Sequence, residues 1–257
     1  MKVITISSPE QGVGKSVVAV HLAYYLREIG KSVLVIDLAY TDNTSRTLSE
    51  FRCGVEVPDL FAGAIRGIHC GRRQPRMKLI HSNVAEDMTR WLQGDFGGPL
   101  GGAVARFNEN LAALAPGFDY CVVDTAPGLC VRTRAALIAS DHLLTPVIPR
   151  AGAHEQIDDL FANLAAMSLQ HRSRSTRTDL LLSRCHQAKP EAREGRDQLK
   201  ARFPNILLDG HVAEHEEIPE ALVRRMPVWA LGTRSARRSA SNMRAAMQAV
   251  GVRIGAC

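Results

Sequence analysis

Short apolar runs alternate along this chain with longer stretches whose apolar residues recur at helical spacing. The pattern predicts strands near 2–7, 32–37, 77–81, 119–124, 142–148 and 178–183. It predicts helices over 16–29, 102–115, 153–171, 190–202 and 233–249. The runs Val33-Leu34-Val35-Ile36 and Tyr120-Cys121-Val122-Val123 have no polar face, as expected of strands covered on both sides. Strand-helix alternation of this kind builds an α/β fold with a mostly parallel, doubly wound sheet. Neither an internal repeat nor a linker marks a boundary, so residues 1–257 are expected to form a single domain.

Candidate chemistry sits at the ends of the predicted strands. Gly12-Val13-Gly14-Lys15-Ser16 lies between the first strand and the first helix, which is the layout of a phosphate-binding loop. Glycines let backbone N–H groups turn toward a phosphate, and the helix that follows offers its positive end. Gln11, Gly12, Val13, Gly14, Lys15, Ser16 and Val17 are therefore the expected nucleotide contacts. Lys15 would reach the terminal phosphates, and Ser16 would hold Mg²⁺. Pro9 stands where the general pattern has its first glycine, so only the second half of that pattern is met. Asp37 and Asp124 each end an apolar strand, where a carboxylate can serve phosphate-bound Mg²⁺ or instead cap the next helix. Three such strand ends in order favour a nucleotide site with ATP or ADP and Mg²⁺. Lys15, Asp37 and Asp124 are its expected catalytic groups, and Ser16 and Asp124 its metal partners.

Composition changes the picture little. With 46% hydrophobic residues, 257 residues can bury a substantial core, and aromatics at 5% leave Val, Leu, Ile and Ala to fill it. No run approaches the ~20 apolar residues of a membrane span, and no signal peptide precedes the first strand, so a cytoplasmic protein is expected. The six cysteines are scattered without metal-ligand spacing. A formal net charge of +6 accompanies arginine clusters at Arg172, Arg174 and Arg177 and at Arg224, Arg225, Arg234, Arg237, Arg238 and Arg244. A face for nucleic acid and a solvated surface both fit these clusters. Residues 83–93 read as a polar helix, and Gly94 to Gly102 as a surface loop in preference to a second phosphate loop, because no strand precedes it.

Gly12 to Ser16, Asp37, and Asp124-Thr125-Ala126-Pro127-Gly128, in that order and spacing, resemble the ParA/MinD family of deviant Walker A ATPases. Pro58-Asp59-Leu60, Ala139 to Val147, and Glu220-Ala221 with Met226-Pro227-Val228 extend the likeness nearly end to end. The resemblance implies a SIMIBI-like P-loop NTPase fold and a bacterial positioning or partition protein that dimerises on ATP. It also implies an adaptor protein partner, non-specific DNA contact through the arginines and nucleoid association. Three departures fall on that chemistry. Glu10 stands at the family's signature lysine, Ala39 at the second acid of its Asp-x-Asp motif, and Glu217 where partition ATPases often carry a DNA-binding arginine. They point to slow hydrolysis, and they leave room for a second reading, a hydrolysis-deficient nucleotide-binding module that recruits a partner. The tail from Arg237 to Ile254 lacks Trp and Phe, so packing on the sheet is expected rather than the membrane contact of MinD relatives.

Overall fold

A computed structural model describes residues 1–65, 77–82, 100–171, 177–185 and 189–257. The polar run at 83–93, residues 94–99 of the glycine-rich stretch, and Arg172 and Arg174 lie outside the described residues.

Eight parallel strands form one sheet in the order β3-β4-β2-β5-β1-β6-β7-β8. They are β1 Lys2–Ile6, β2 Val33–Leu38, β3 Arg52–Glu56, β4 Met77–His81, β5 Tyr120–Thr125, β6 His142–Val147, β7 Arg177–Cys185 and β8 Leu207–Ala213. β2, β5 and β6 are buried at every residue, which is why β2 and β5 read as unbroken apolar runs up to their aspartates. The two edge strands are different. β3 is half exposed, and β8 mixes Asp209, Gly210 and His211 into its apolar residues, so neither carries a clean strand signal.

Helices cover both faces. α1 Lys15–Glu28 and the C-terminal helix, here α2, Ala236–Arg253, pack over one face, where Leu22, Leu26, Met243, Met247 and Val250 are buried with Ile4 and Val122. The tail thus packs into the core as its sequence suggested. On the other face, residues 100–114 and 131–139 bury Phe107, Leu111, Ala135 and Ile138 against Ile36, Cys121 and Val123. The segment 131–139 escapes sequence reading because seven of its nine residues are buried, leaving little polar stripe to reveal a helical period. No helix among the described residues is long and apolar enough to cross a membrane.

Strand order reverses at β1, whose neighbours are β5 and β6. In open parallel sheets ligands bind beyond the strand C-termini at such a switch point, and the glycine-rich loop leaves β1 there.

Candidate functional site

The loop after β1 is shaped by two left-handed glycines, Gly12 at φ 77° and Gly14 at φ 89°. A side chain at Gly14 would be disfavoured by its backbone and would meet the Ser183 hydroxyl at 3.1 Å. Val13 sits between them with its side chain fully buried, which pins the loop to the core. α1 starts without a side-chain cap, so its first-turn N–H groups have no intrahelical partner and face the loop. A cleft of about 1050 Å³ opens here. Gln11, Gly12, Gly14, Lys15, Ser16 and Val17 line it, with Ala39 to Thr41, Thr125 and Pro127 on the sheet side and Pro219, Leu222, Val223 and Arg225 on the far rim.

Lys15 is largely buried, and its ammonium donates to the Glu10 carbonyl at 2.9 Å. Burial lowers its pKa, against the opposing fields of Asp124 and the Glu10 carboxylate. A desolvated cation of this kind is set to gain when a phosphate arrives.

Sheet register brings the two predicted acids together, since Asp37 on β2 is paired with Asp124 on β5. Both are fully buried, and burial raises the pKa of each. Asp37 is occupied within the chain. Its Oδ1 accepts from the Ala39 N–H at 3.1 Å, and its Oδ2 accepts from the N–H and hydroxyl of Ser45 at 2.8 and 2.6 Å. Asp124 is only half satisfied. Thr44 donates to its Oδ2 at 2.8 Å and the nearby Ser16 hydroxyl favours its charged form, whereas Oδ1 has no hydrogen-bond partner among the described residues. An orphaned, buried carboxylate oxygen beside a loop serine suits a hydrated cation held mainly by phosphate oxygens. Among the described residues no group of three or more His, Cys, Asp or Glu could bind a metal by itself. Mg²⁺ would therefore come with the nucleotide.

The structure thus brings the predicted residues to one place, with two refinements. Val13 can contribute only backbone, and Asp37 and Asp124 lie beneath the cleft rather than among the side chains lining it. Glu10, a carboxylate where the resemblance has a lysine, makes an ion pair with Arg150 at 3.1 Å, which offsets its charge. Sequence reading missed Thr44 and Ser45 under the acids, Arg150 on Glu10, and Arg184, which donates to the Gly12 carbonyl at 3.2 Å. The polar run Thr41 to Ser45, which begins four residues after Asp37, carried a faint signal for the first pair. The arginines are more than 130 residues from the loop in sequence, and nothing local announces them. The C-terminal arginines divide. Arg224, Arg244 and Arg253 pair with Glu220, Glu28 and Asp179, while Arg234, Arg237 and Arg238 are exposed. Glu217 accepts a hydrogen bond from Ser239 at 3.0 Å.

A family model described as an AAA domain matches residues 1–176. Protein IncC of Escherichia coli is 31% identical over 254 residues, spanning 95% of this chain and 68% of that protein. Among solved structures, apo McdA of Cyanothece superposes with a TM-score of 0.76 at 19% identity, covering 98% of this chain and all of the other. MinD from the Aquifex aeolicus MinC:MinD complex superposes with a TM-score of 0.71 at 17% identity, covering 97% and 96% of the two chains. The structural likenesses establish the fold. With the family match and the IncC relationship, they place this chain in the AAA-domain family of ParA/MinD-type P-loop ATPases.

Proposed function

We propose that this protein is a ParA-like, nucleotide-dependent positioning or partition protein that binds Mg·ATP or Mg·ADP at the loop after β1. The observation that carries the reading is the convergence of Lys15 and Ser16 in one cleft with the half-satisfied Asp124 carboxylate beneath it. The uncapped N-terminus of α1 would bind phosphate oxygens, Lys15 would leave the Glu10 carbonyl for the terminal phosphates, and Ser16 with Asp124 would hold hydrated Mg²⁺. Mg²⁺ there supplies neutralisation of phosphate charge. Two copies would close over the nucleotide, and an adaptor protein would read the closed state. The relatives support this, since one solved neighbour is an ATP complex of a Cyanothece McdA variant and another a plasmid partition protein bound to AMPPNP. The test is calorimetry of Mg·ATP with the natural protein and Lys15→Ala. Binding should fall by an order of magnitude or more, and equal affinities would remove the nucleotide site.

Ala39 favours a second reading, a partner-recruiting module with little turnover, because a methyl group at that position cannot orient water. DNA contact, if it belongs to the first reading, would fall to the exposed Arg225, Arg234, Arg237 and Arg238, because Arg224, Arg244 and Arg253 are engaged in ion pairs. ATP turnover measured with and without DNA, at low and high salt, separates the two. Stimulated turnover with salt-sensitive binding supports positioning on DNA, and inert nucleotide with no DNA binding supports the module.

A further inference from the structure

The phosphate loop is gripped by two cations, of which one lines the cleft and the other does not. Lys15 holds the carbonyl of Glu10, and the Arg184 guanidinium holds the carbonyl of Gly12. In a trans peptide the carbonyl and the following N–H point in opposite directions. Drawing the Gly12 carbonyl toward Arg184, which does not line the cleft, therefore turns the Val13 N–H the other way. With left-handed glycines at 12 and 14 on either side of Val13, this suits the backbone to an anion-binding nest.

The two grips are not equivalent. Lys15 is the group that would move to the phosphates, and its hold on the loop would then end. Arg184 is built to stay. Its Nε donates to Glu214 Oε1 at 2.9 Å, its Nη2 bonds the same carboxylate, and its Nη1 is left for Gly12. It is the next-to-last residue of β7 and has a left-handed conformation, φ 48°, which a non-glycine residue adopts at a cost. Such a conformation directs the side chain back across the loop. Ser183, its neighbour, lies against Gly14, so the end of β7 meets the loop at both of its left-handed glycines.

We propose that Arg184 is a positioning residue for nucleotide binding. Held by Glu214, it fixes the Gly12 carbonyl outward and thereby presents the loop N–H groups to a bound nucleotide phosphate. The proposal rests on the nucleotide-site reading above and adds to it a residue outside the glycine-rich motif.

The test combines Mg·ADP calorimetry with thermal unfolding of the nucleotide-free protein, using the natural chain, Lys15→Ala, Arg184→Gly and Arg184→Lys. Glycine is at ease at φ 48°, so Arg184→Gly should keep the nucleotide-free Tm at or above that of the natural protein while weakening Mg·ADP by about three- to tenfold. Arg184→Lys keeps the charge but cannot span Gly12 and Glu214 together, and its affinity should fall between the two. Natural affinity in Arg184→Gly overturns the proposal. So does full affinity in Arg184→Lys, since charge alone would then suffice, and so does a loss of affinity that follows a lowered Tm. If the natural protein binds Mg·ADP no better than Lys15→Ala, the nucleotide-site reading falls and this proposal with it. If Lys15→Ala weakens and Arg184→Gly does not, only the role of Arg184 is lost.

Discussion

Acid should weaken this fold through one buried imidazole. His21 lies on α1 with no solvent exposure, its Nδ1 2.7 Å from the Val17 carbonyl and its Nε2 3.1 Å from the Val228 N–H. The neutral ring with its proton on Nδ1 satisfies both contacts, donating to Val17 and accepting from Val228. A second proton would meet the Val228 N–H with another donor. Burial accordingly lowers the His21 pKa from 6.5 to about 4, against a smaller upward pull from the Val17 carbonyl. The folded pKa lies below the unfolded one, so the stabilisation is fully present above pH ~6.5 and is lost as pH falls toward 4. At about 1.36 kcal/mol per pH unit, that interval is worth about 3 kcal/mol, a large share of the ~5–15 kcal/mol that holds a domain folded. Asp37 works in the opposite sense. Burial and Asp124 raise its pKa from 3.8 to about 7, so its contribution is present below 3.8 and lost as pH rises through 7. The comparison must therefore be between the natural protein and His21→Gln, whose amide can still accept from Val228. Urea unfolding from pH ~4 to ~8 should show the gap between the two proteins closing by about 3 kcal/mol as pH falls through this range. Parallel stability curves would refute the assignment.

Three further outcomes follow from the same geometry. Asp124→Asn should reduce the dependence of nucleotide affinity on Mg²⁺, read by calorimetry with and without EDTA, because the amide cannot offer the charge a hydrated cation takes from the orphaned oxygen. Basal ATP turnover should lie below the ~1–100 s⁻¹ of typical kinases, and Glu10→Lys with Ala39→Asp should raise it; fast turnover by the natural protein would show other groups at work. Gly195→Ala would place a methyl 2.3 Å from the Arg150 backbone nitrogen, so it should cost about 1–3 kcal/mol and lower Tm by several degrees in a thermal melt.

How far the sequence reveals this molecule depends on how local each cause is. β1, β2, β5 and β6 are legible because strands covered on both faces are mostly apolar, and Asp37 and Asp124 are legible because each breaks an apolar run at its end. β8 is not. It gains its place by contact with α2, where Gly210 leaves room for the Ala246 backbone 2.9 Å from a would-be Cβ, and that fit depends on a residue 36 positions away. The site divides the same way. The glycines and Lys15 announce themselves because a phosphate loop is a local conformation with local demands. The charge around it is set by distant strand ends. Glu10 alone reads as a defect, and only the fold shows Arg150 beside it, carried by the turn after β6. Arg184 reads as one more surface arginine until β7 sets it in a left-handed conformation across from Gly12. Substitutions in the motif itself therefore give a poor measure of what the loop can bind, because part of its charge balance and part of its shape are supplied by residues that share no motif with it.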